Sequence, residues 1–318
     1  MAILNKFGLL FLALILFSCD DIIEEDISDD TLIVTSPLEG DIIESNVVNF
    51  RWEALEGADR YRIEVYNLTD DKILDTIIKD KTNLVYPMSQ GQYKWKARGE
   101  NFAYQSQYSN RINFSVIESL DLTNQQVILS SPADAIYTNA TSINCSWQDL
   151  TAADTYDFEL INVTSGQSVL QQSGIVSPSF TINDTYLTTE AKYQWKVKAR
   201  NATSETVFVS RTFFIDRTAP NVPQITSPVN NSTQTINQEI SFNWNVGTDT
   251  GVVQSPISYT IEFSNTASFG SLIHSSSLTT NTYLKAFTSS GDYYWRVKAI
   301  DAATNTSLYS SIFKFTIN

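Results

Sequence analysis

The chain of 318 residues has one histidine and two cysteines, and its 21 lysines and arginines form no basic cluster. A lone His274 excludes most zinc constellations and any triad that needs more than one histidine. It lies in Leu272-Ile273-His274-Ser275 with no acid or cysteine at metal-ligand spacing, so no metal site and no cofactor are expected, and it reads as an exposed strand residue. A formal charge of -14 without a basic patch argues against a nucleic-acid partner, because phosphates need clustered cations. There is no glycine-rich phosphate loop and no Gly-x-Ser-x-Gly elbow. Acids are plentiful, 35 in all, but three small domains without a large insertion leave no deep cleft for a glycosidase carboxylate pair, and no catalytic site is expected. Long amphipathic helices are also missing.

What the chain does have is one stretch written three times: Tyr93-Lys-Trp95-Lys-Ala97-Arg-Gly99-Glu-Asn101, Tyr193-Gln-Trp195-Lys-Val197-Lys-Ala199-Arg-Asn201 and Tyr293-Tyr-Trp295-Arg-Val297-Lys-Ala299-Ile-Asp301. Apolar and polar residues alternate with period two, which marks a strand with one face on a core and one in water. The order of flanking segments repeats as well. Ser36-Pro37, Phe50-Arg-Trp52 and Tyr61-Arg-Ile63 recur as Ser131-Pro132, Cys145-Ser-Trp147 and Tyr156-Asp-Phe158, then as Ser227-Pro228, Phe242-Asn-Trp244 and Tyr259-Thr-Ile261.

These residues resemble fibronectin type III domains, in which a tryptophan ends the second strand, a tyrosine starts the third, and Tyr-x-x-x-Val-x-Ala-x-Asn runs along the sixth. The resemblance covers nearly all of residues 31–318. It implies an all-β chain of three tandem immunoglobulin-like sandwiches, each antiparallel and seven-stranded. Gly99 departs from the pattern, standing where alanine is usual. Domains are expected at 31–117, 127–216 and 222–318, with linkers where the periodicity lapses. The Asp-x-Thr-Ala-Pro stretch ending at Pro220 looks like the junctions of bacterial immunoglobulin-like arrays and implies a stiff succession of domains.

Ahead of the repeats, Lys6 and the apolar run Phe7 to Phe17 form an export signal over residues 1–18, too short to span a bilayer. Leu16-Phe17-Ser18-Cys19 resembles the lipobox of bacterial lipoproteins, which implies lipidation of Cys19 and a membrane partner through that anchor. Residues 19–30 are expected to be a solvated tether, since Asp20, Asp21, Glu24, Glu25, Asp26, Asp29 and Asp30 are seven acids without a base. Acids after the cysteine look like the surface-export signal of Bacteroidota lipoproteins, implying an outer-membrane address facing outward. In enterobacteria Asp directly after the cysteine goes instead with inner-membrane retention, and the length of the acidic run favours the surface.

With Cys19 lipidated, Cys145 has no disulfide partner and is expected in the core at the place of Phe50 and Phe242. On the sixth strands Lys94, Lys96, Arg98, Lys196, Lys198, Arg200, Arg296 and Lys298 point outward, and Glu64, Asp157, Glu159 and Glu262 on the third strands are their expected cross-strand partners. Aromatics outside the core phase are the candidate ligand contacts. Phe102 and Tyr104 share the loop after a sixth strand, beside Asn101, Gln105 and Gln107; Tyr137 and Tyr294 are the others. The resulting expectation is a non-catalytic, lipid-anchored surface protein serving as spacer and interaction module for a protein or glycan partner. The alternative is glycan capture, in a layout similar to the starch-binding accessory lipoproteins of Bacteroidota.

Overall fold

The computed structural model describes residues 24–318, and Cys19 with the export signal lies outside the described residues. Every named element is a strand. The first sandwich holds β1 (Val34–Ser36), β2 (Asp41–Glu44), β3 (Val47–Trp52), β4 (Arg60–Asn67), β5 (Lys72–Lys79), β6 (Asn83–Pro87), β7 (Gly91–Glu100) and β8 (Ile112–Ile117). The second holds β9 (Leu129–Ser131), β10 (Ile136–Thr138), β11 (Ile143–Trp147), β12 (Thr155–Asn162), β13 (Gln167–Ile175), β14 (Ser179–Ile182), β15 (Ala191–Arg200) and β16 (Val209–Ile215). The third holds β17 (Gln224–Ser227), β18 (Ser232–Gln234), β19 (Glu239–Asn245), β20 (Ile257–Ser264), β21 (His274–Leu278), β22 (Thr282–Ala286), β23 (Gly291–Asp301) and β24 (Phe313–Ile317).

Each set forms a three-stranded sheet facing a five-stranded one: β1-β3-β6 with β2-β8-β7-β4-β5, and the equivalent orders in the other two. This is the immunoglobulin-like topology of the fibronectin type III arrangement, three times over. It differs from seven antiparallel strands in one respect. The first strand breaks at the Ser-Pro step and its second half crosses to the opposite sheet, where β10 pairs parallel with β16 and β18 with β24. Proline has no N–H to give a ladder, so the strand changes sheets where pairing lapses.

Three separate cores follow from the period-two strands. In the first, Phe50 meets Trp95 edge-on at 5.0 Å and Phe114 at 5.8 Å; in the third, Phe242 meets Trp295 at 5.0 Å and Phe315 at 5.4 Å. The second core has fully buried Cys145 at this place. Its lost volume is made up by Phe158, where the other sandwiches have Ile63 and Ile261, and Phe158 stacks on Trp195 at 5.9 Å and packs on Phe180 at 4.8 Å. Burial pushes the Cys145 thiol far up, so it stays a protonated, apolar side chain. Gly99 is likewise explained by packing, because a Cβ there would lie 2.8 Å from Leu55 Cδ2.

Two boundaries need correction. Residues 24–30 are not a free tether: Ile27 is fully buried, Gln107 N donates to Asp30 O at 2.8 Å, and Thr31 bridges to Gln107. One apolar side chain and satisfied backbone groups outweigh the solvation of the acids around them. Residues 118–126 are not a bare linker either, since Leu122 is fully buried in the second core and Val127 nearly so. The chain divides into two compact units, one ending at Ile117 with the first sandwich, the other running from Glu118 to Asn318 with the second and third.

Truncating Trp95 to Ala is expected to destabilise the first sandwich by about 3–5 kcal/mol, the usual cost of deleting a buried aromatic. Native-state hydrogen exchange on the full chain reads this out domain by domain. Equal loss of protection in all three sandwiches would contradict separate cores.

Candidate functional site

The cation ladder on β7, β15 and β23 was one candidate surface, and the register places its partners directly opposite: Glu64 by Lys96, Glu159 by Lys196, Glu262 by Arg296. The pairs close at 3.1, 2.6 and 2.7 Å. They are less exposed than alternation alone suggests, because an aromatic from the loop before the last strand folds over them. Tyr108 lies 3.6 Å from Lys96 Nζ, Phe208 lies 5.2 Å from both Lys196 and Lys198, and Tyr309 lies 3.7 Å from the Arg296 guanidinium. The Tyr108 and Tyr309 hydroxyls also donate to Glu64 and Glu262, which are only 5% and 8% exposed. These covering rings occupy one repeated position, in Ser-Gln-Tyr108-Ser, Thr-Val-Phe208-Val and Ser-Leu-Tyr309-Ser, and that regularity was present in the sequence. Among the described residues all the ladder cations but Lys298 pair with an acid, and Lys298 lies 5.2 Å from the Tyr309 ring, so the ladder is a largely self-paired network rather than an open anion site.

Glu64 is its most heavily bonded acid, taking hydrogen bonds from Lys72 at 2.8 Å, Tyr66 at 2.6 Å and Tyr108 at 3.1 Å besides the Lys96 ion pair. Burial alone would raise its carboxyl, but the bonds from Lys72, Tyr66 and Lys96 outweigh it and bring it from 4.5 to about 2.

The aromatic candidates are scattered. Phe102 is 88% exposed and Tyr104 37% exposed, at the turn that follows β7. Tyr294 is half-buried on β23 opposite Lys314, and Tyr137 stacks on Phe214 at 4.6 Å, within the sheet. Asn101 cannot serve a ligand beside Phe102, because it is buried and fully used: Oδ1 accepts from Ala103 N and Tyr104 N, and Nδ2 donates to Glu25 O and Gly57 O. Gln107 Nε2 donates to Ser28 O. His274 is not an exposed strand residue; it is half-buried, stacks on Tyr283 and shares a hydrogen bond with its hydroxyl, and burial lowers its pKa.

Asn101 shows what the last motif position does. Its amide ties the segment entering the first sandwich to the β3–β4 loop, with bonds of 2.8 Å to Glu25 O and 2.9 Å to Gly57 O. Gly57 sits at φ 75, and a Cβ on it would lie 2.7 Å from the Glu25 carboxylate, so glycine permits the close approach. Asn201 repeats the clamp on the second sandwich, donating to Leu120 O at 2.9 Å and Ala152 O at 3.0 Å. The third sandwich has Asp301 there, and a carboxylate cannot donate. Asn305 takes over, giving 2.9 Å to Asp216 O on the incoming segment and 2.8 Å to Asp301 Oδ2.

Asp301 then lies beside Asp216 and Asp249, one oxygen of each within 4.8 Å of the others, all three buried. Asp216 follows β16, Asp249 lies in the β19–β20 loop and Asp301 ends β23, so residues far apart in sequence converge between the second and third sandwiches. Burial raises the Asp216 carboxyl most, the negative Asp249 and Asp301 add to this, and contacts from Ser255 and Thr218 offset it only in part, leaving it at about 6. Glu190 organises the same junction, accepting from Thr218 Oγ1 at 2.6 Å, Arg217 N at 2.9 Å and Val252 N at 3.1 Å.

The chain is similar to the FN1–FN3 domains of chicken CNTN1, with 13% identity and a TM-score of 0.45 over 91% of this chain and 99% of that one. It is similar also to the two-domain fibronectin type III segment of chicken tenascin, with 16% identity and a TM-score of 0.23 over 59% and 98% of the two chains. Fibronectin(III)-like modules of Clostridium thermocellum CbhA give 16% identity and a TM-score of 0.23 over 58% and 94%. No protein-family model and no curated protein matches.

The Glu64 network generates a pH test. A carboxyl held at about 2 in the fold and near 4.5 when unfolded contributes stability that is fully present above 4.5 and is lost as pH falls toward 2. In urea denaturation the gap between wild type and Glu64→Gln is therefore expected to be widest above pH 5 and to close toward pH 2. A gap independent of pH would contradict the network.

Proposed function

We propose that this chain is a non-catalytic, lipid-anchored surface protein whose tandem sandwiches act as a spacer and interaction module. The observation that carries this reading is the repeated clamp: each sandwich binds the segment that enters it, through Asn101, Asn201 or Asn305, so the chain passes from linker to fold without a slack segment at these entries. Lys96, Lys196 and Arg296 are paired with Glu64, Glu159 and Glu262, which suits a self-contained support. The lipobox-like Leu16-Phe17-Ser18-Cys19 supports the anchor and the acidic run supports an outer-membrane, outward address. Replacing Cys19 with Ala is expected to move the protein from the detergent-extracted membrane fraction to a soluble or unprocessed form, and mass spectrometry of the wild type is expected to find acyl chains on Cys19. An unlipidated wild type would overturn the anchor; resistance of the domains to protease on intact cells, with digestion only after lysis, would overturn the surface address.

Exposure of Phe102 at the tip of a turn favours glycan capture as a second reading. A neutral sugar stacked on Phe102 and Tyr104 is expected to be lost in the Phe102→Ala, Tyr104→Ala double variant on a glycan array. Absence of any glycan bound by the wild type, or binding that survives the double variant, would remove it.

A further inference from the structure

The junction between the second and third sandwiches carries three buried acids, and among the described residues no lysine, arginine or histidine pairs with any of them. Asp216, Asp249 and Asp301 are 0%, 7% and 4% exposed, and none of the ion pairs includes them. Arg217, next in sequence to Asp216, turns its guanidinium to the carbonyls of Leu187 and Ala140 instead. Buried carboxylates are tolerated when they are paired or coordinate a metal.

Local donors go only part of the way. Asp301 accepts from Asn305 N at 2.7 Å and from Asn305 Nδ2, and Asp249 Oδ2 accepts from Ser255 N at 2.8 Å. Asp216 accepts one long bond, from Thr218 N at 3.3 Å to Oδ1, has the Ser255 hydroxyl nearby, and its wholly buried Oδ2 lies without a hydrogen-bond partner among the described residues. The other two sandwiches show how the same place is filled without an ion. There, an asparagine amide supplies the positive hydrogens that bind the incoming segment, whereas the third sandwich replaces that donor with the acceptor Asp301 and adds Asp216 and Asp249. Asn305 restores the bond to the incoming segment, but the three carboxylates face one another with no cationic side chain of the described residues between them.

We propose that Asp216, Asp249 and Asp301 bind a calcium ion that joins the second sandwich to the third. An all-oxygen donor set without histidine or cysteine selects a hard cation over zinc or copper. Calcium accepts irregular carboxylate sets completed by water, while magnesium gives up its own water shell reluctantly. The ion would take Asp216 Oδ2 out of its unpartnered state and link the end of β16 to the β19–β20 loop and the end of β23.

The test uses the full chain in detergent, stripped with EDTA. Calorimetric titration with calcium chloride is expected to show one saturable site, with magnesium at least tenfold weaker, and saturating calcium is expected to raise the Tm of the unit by about 3 °C or more, reversed by EDTA. Asp249→Asn and Asp301→Asn are each expected to weaken calcium at least tenfold, with circular dichroism reporting that they fold. If either fails to fold, terbium luminescence on the wild type, quenched by competing calcium, replaces it. No saturable calcium binding at millimolar concentration, or unchanged binding in both folded variants, would overturn the proposal; tighter binding of magnesium would overturn the choice of ion.

Discussion

Alternation along β7, β15 and β23 sets each sandwich, because the same strand buries Trp95, Trp195 or Trp295 on one side and presents cations on the other. A buried tryptophan withdraws roughly 200 Å² from water, worth on the order of 5 kcal/mol, and Phe50, Trp147 or Phe242 of the facing sheet packs against it. The outward cations then require acids on the neighbouring strand. A one-residue slip would bury the charges and expose the rings, so the core and the ion pairs enforce a single register.

The ends of these strands do a second job. Beyond Trp95, where β8 begins its pairing opposite, the backbone N–H groups of Ala97 and Gly99 lose a strand partner and are met by Ser109 and Ser106 hydroxyls. Thr206 serves Ala199 in the second sandwich, and Ser310 and Ser307 serve Val297 and Ala299 in the third. Side-chain hydroxyls thus complete the strand and fix the following loop, and that loop delivers the ring that covers the cations. Two residues beyond Gly99 and Ala199, Asn101 and Asn201 receive the incoming chain, and in the third sandwich Asn305 does so beside Asp301. Core, junction and electrostatic cover are thus set by one strand and the loop that follows it.

This explains which features were legible in the sequence. The inward and outward phases, the acid partners and the core place of Cys145 follow from period two and were readable. The covering rings Tyr108, Phe208 and Tyr309 follow the repeated tryptophans at nearly the same spacing but lie outside a strand, where periodicity gives no phase. Ile27 was hidden because its acidic neighbours dominate the local composition, although one buried side chain decides the segment. The Asp216, Asp249 and Asp301 cluster spans three segments that only the sheet topology brings together. Its sequence traces were the change from Asn to Asp at the end of the third repeated stretch and Asp216 at the head of Asp-x-Thr-Ala-Pro.

An asparagine amide closes each sandwich by donating to the segment that enters it, from the end of the motif in Asn101 and Asn201 and from Asn305 in the third. Asn101→Asp keeps the size and the two accepted bonds while removing both donated ones, and it sets a carboxylate against the Glu25 and Gly57 carbonyls. Equilibrium urea denaturation of the first sandwich at neutral pH is the direct measurement. A loss on the order of 2–3 kcal/mol is the result the clamp predicts, and a variant as stable as wild type to within about 0.5 kcal/mol would contradict it.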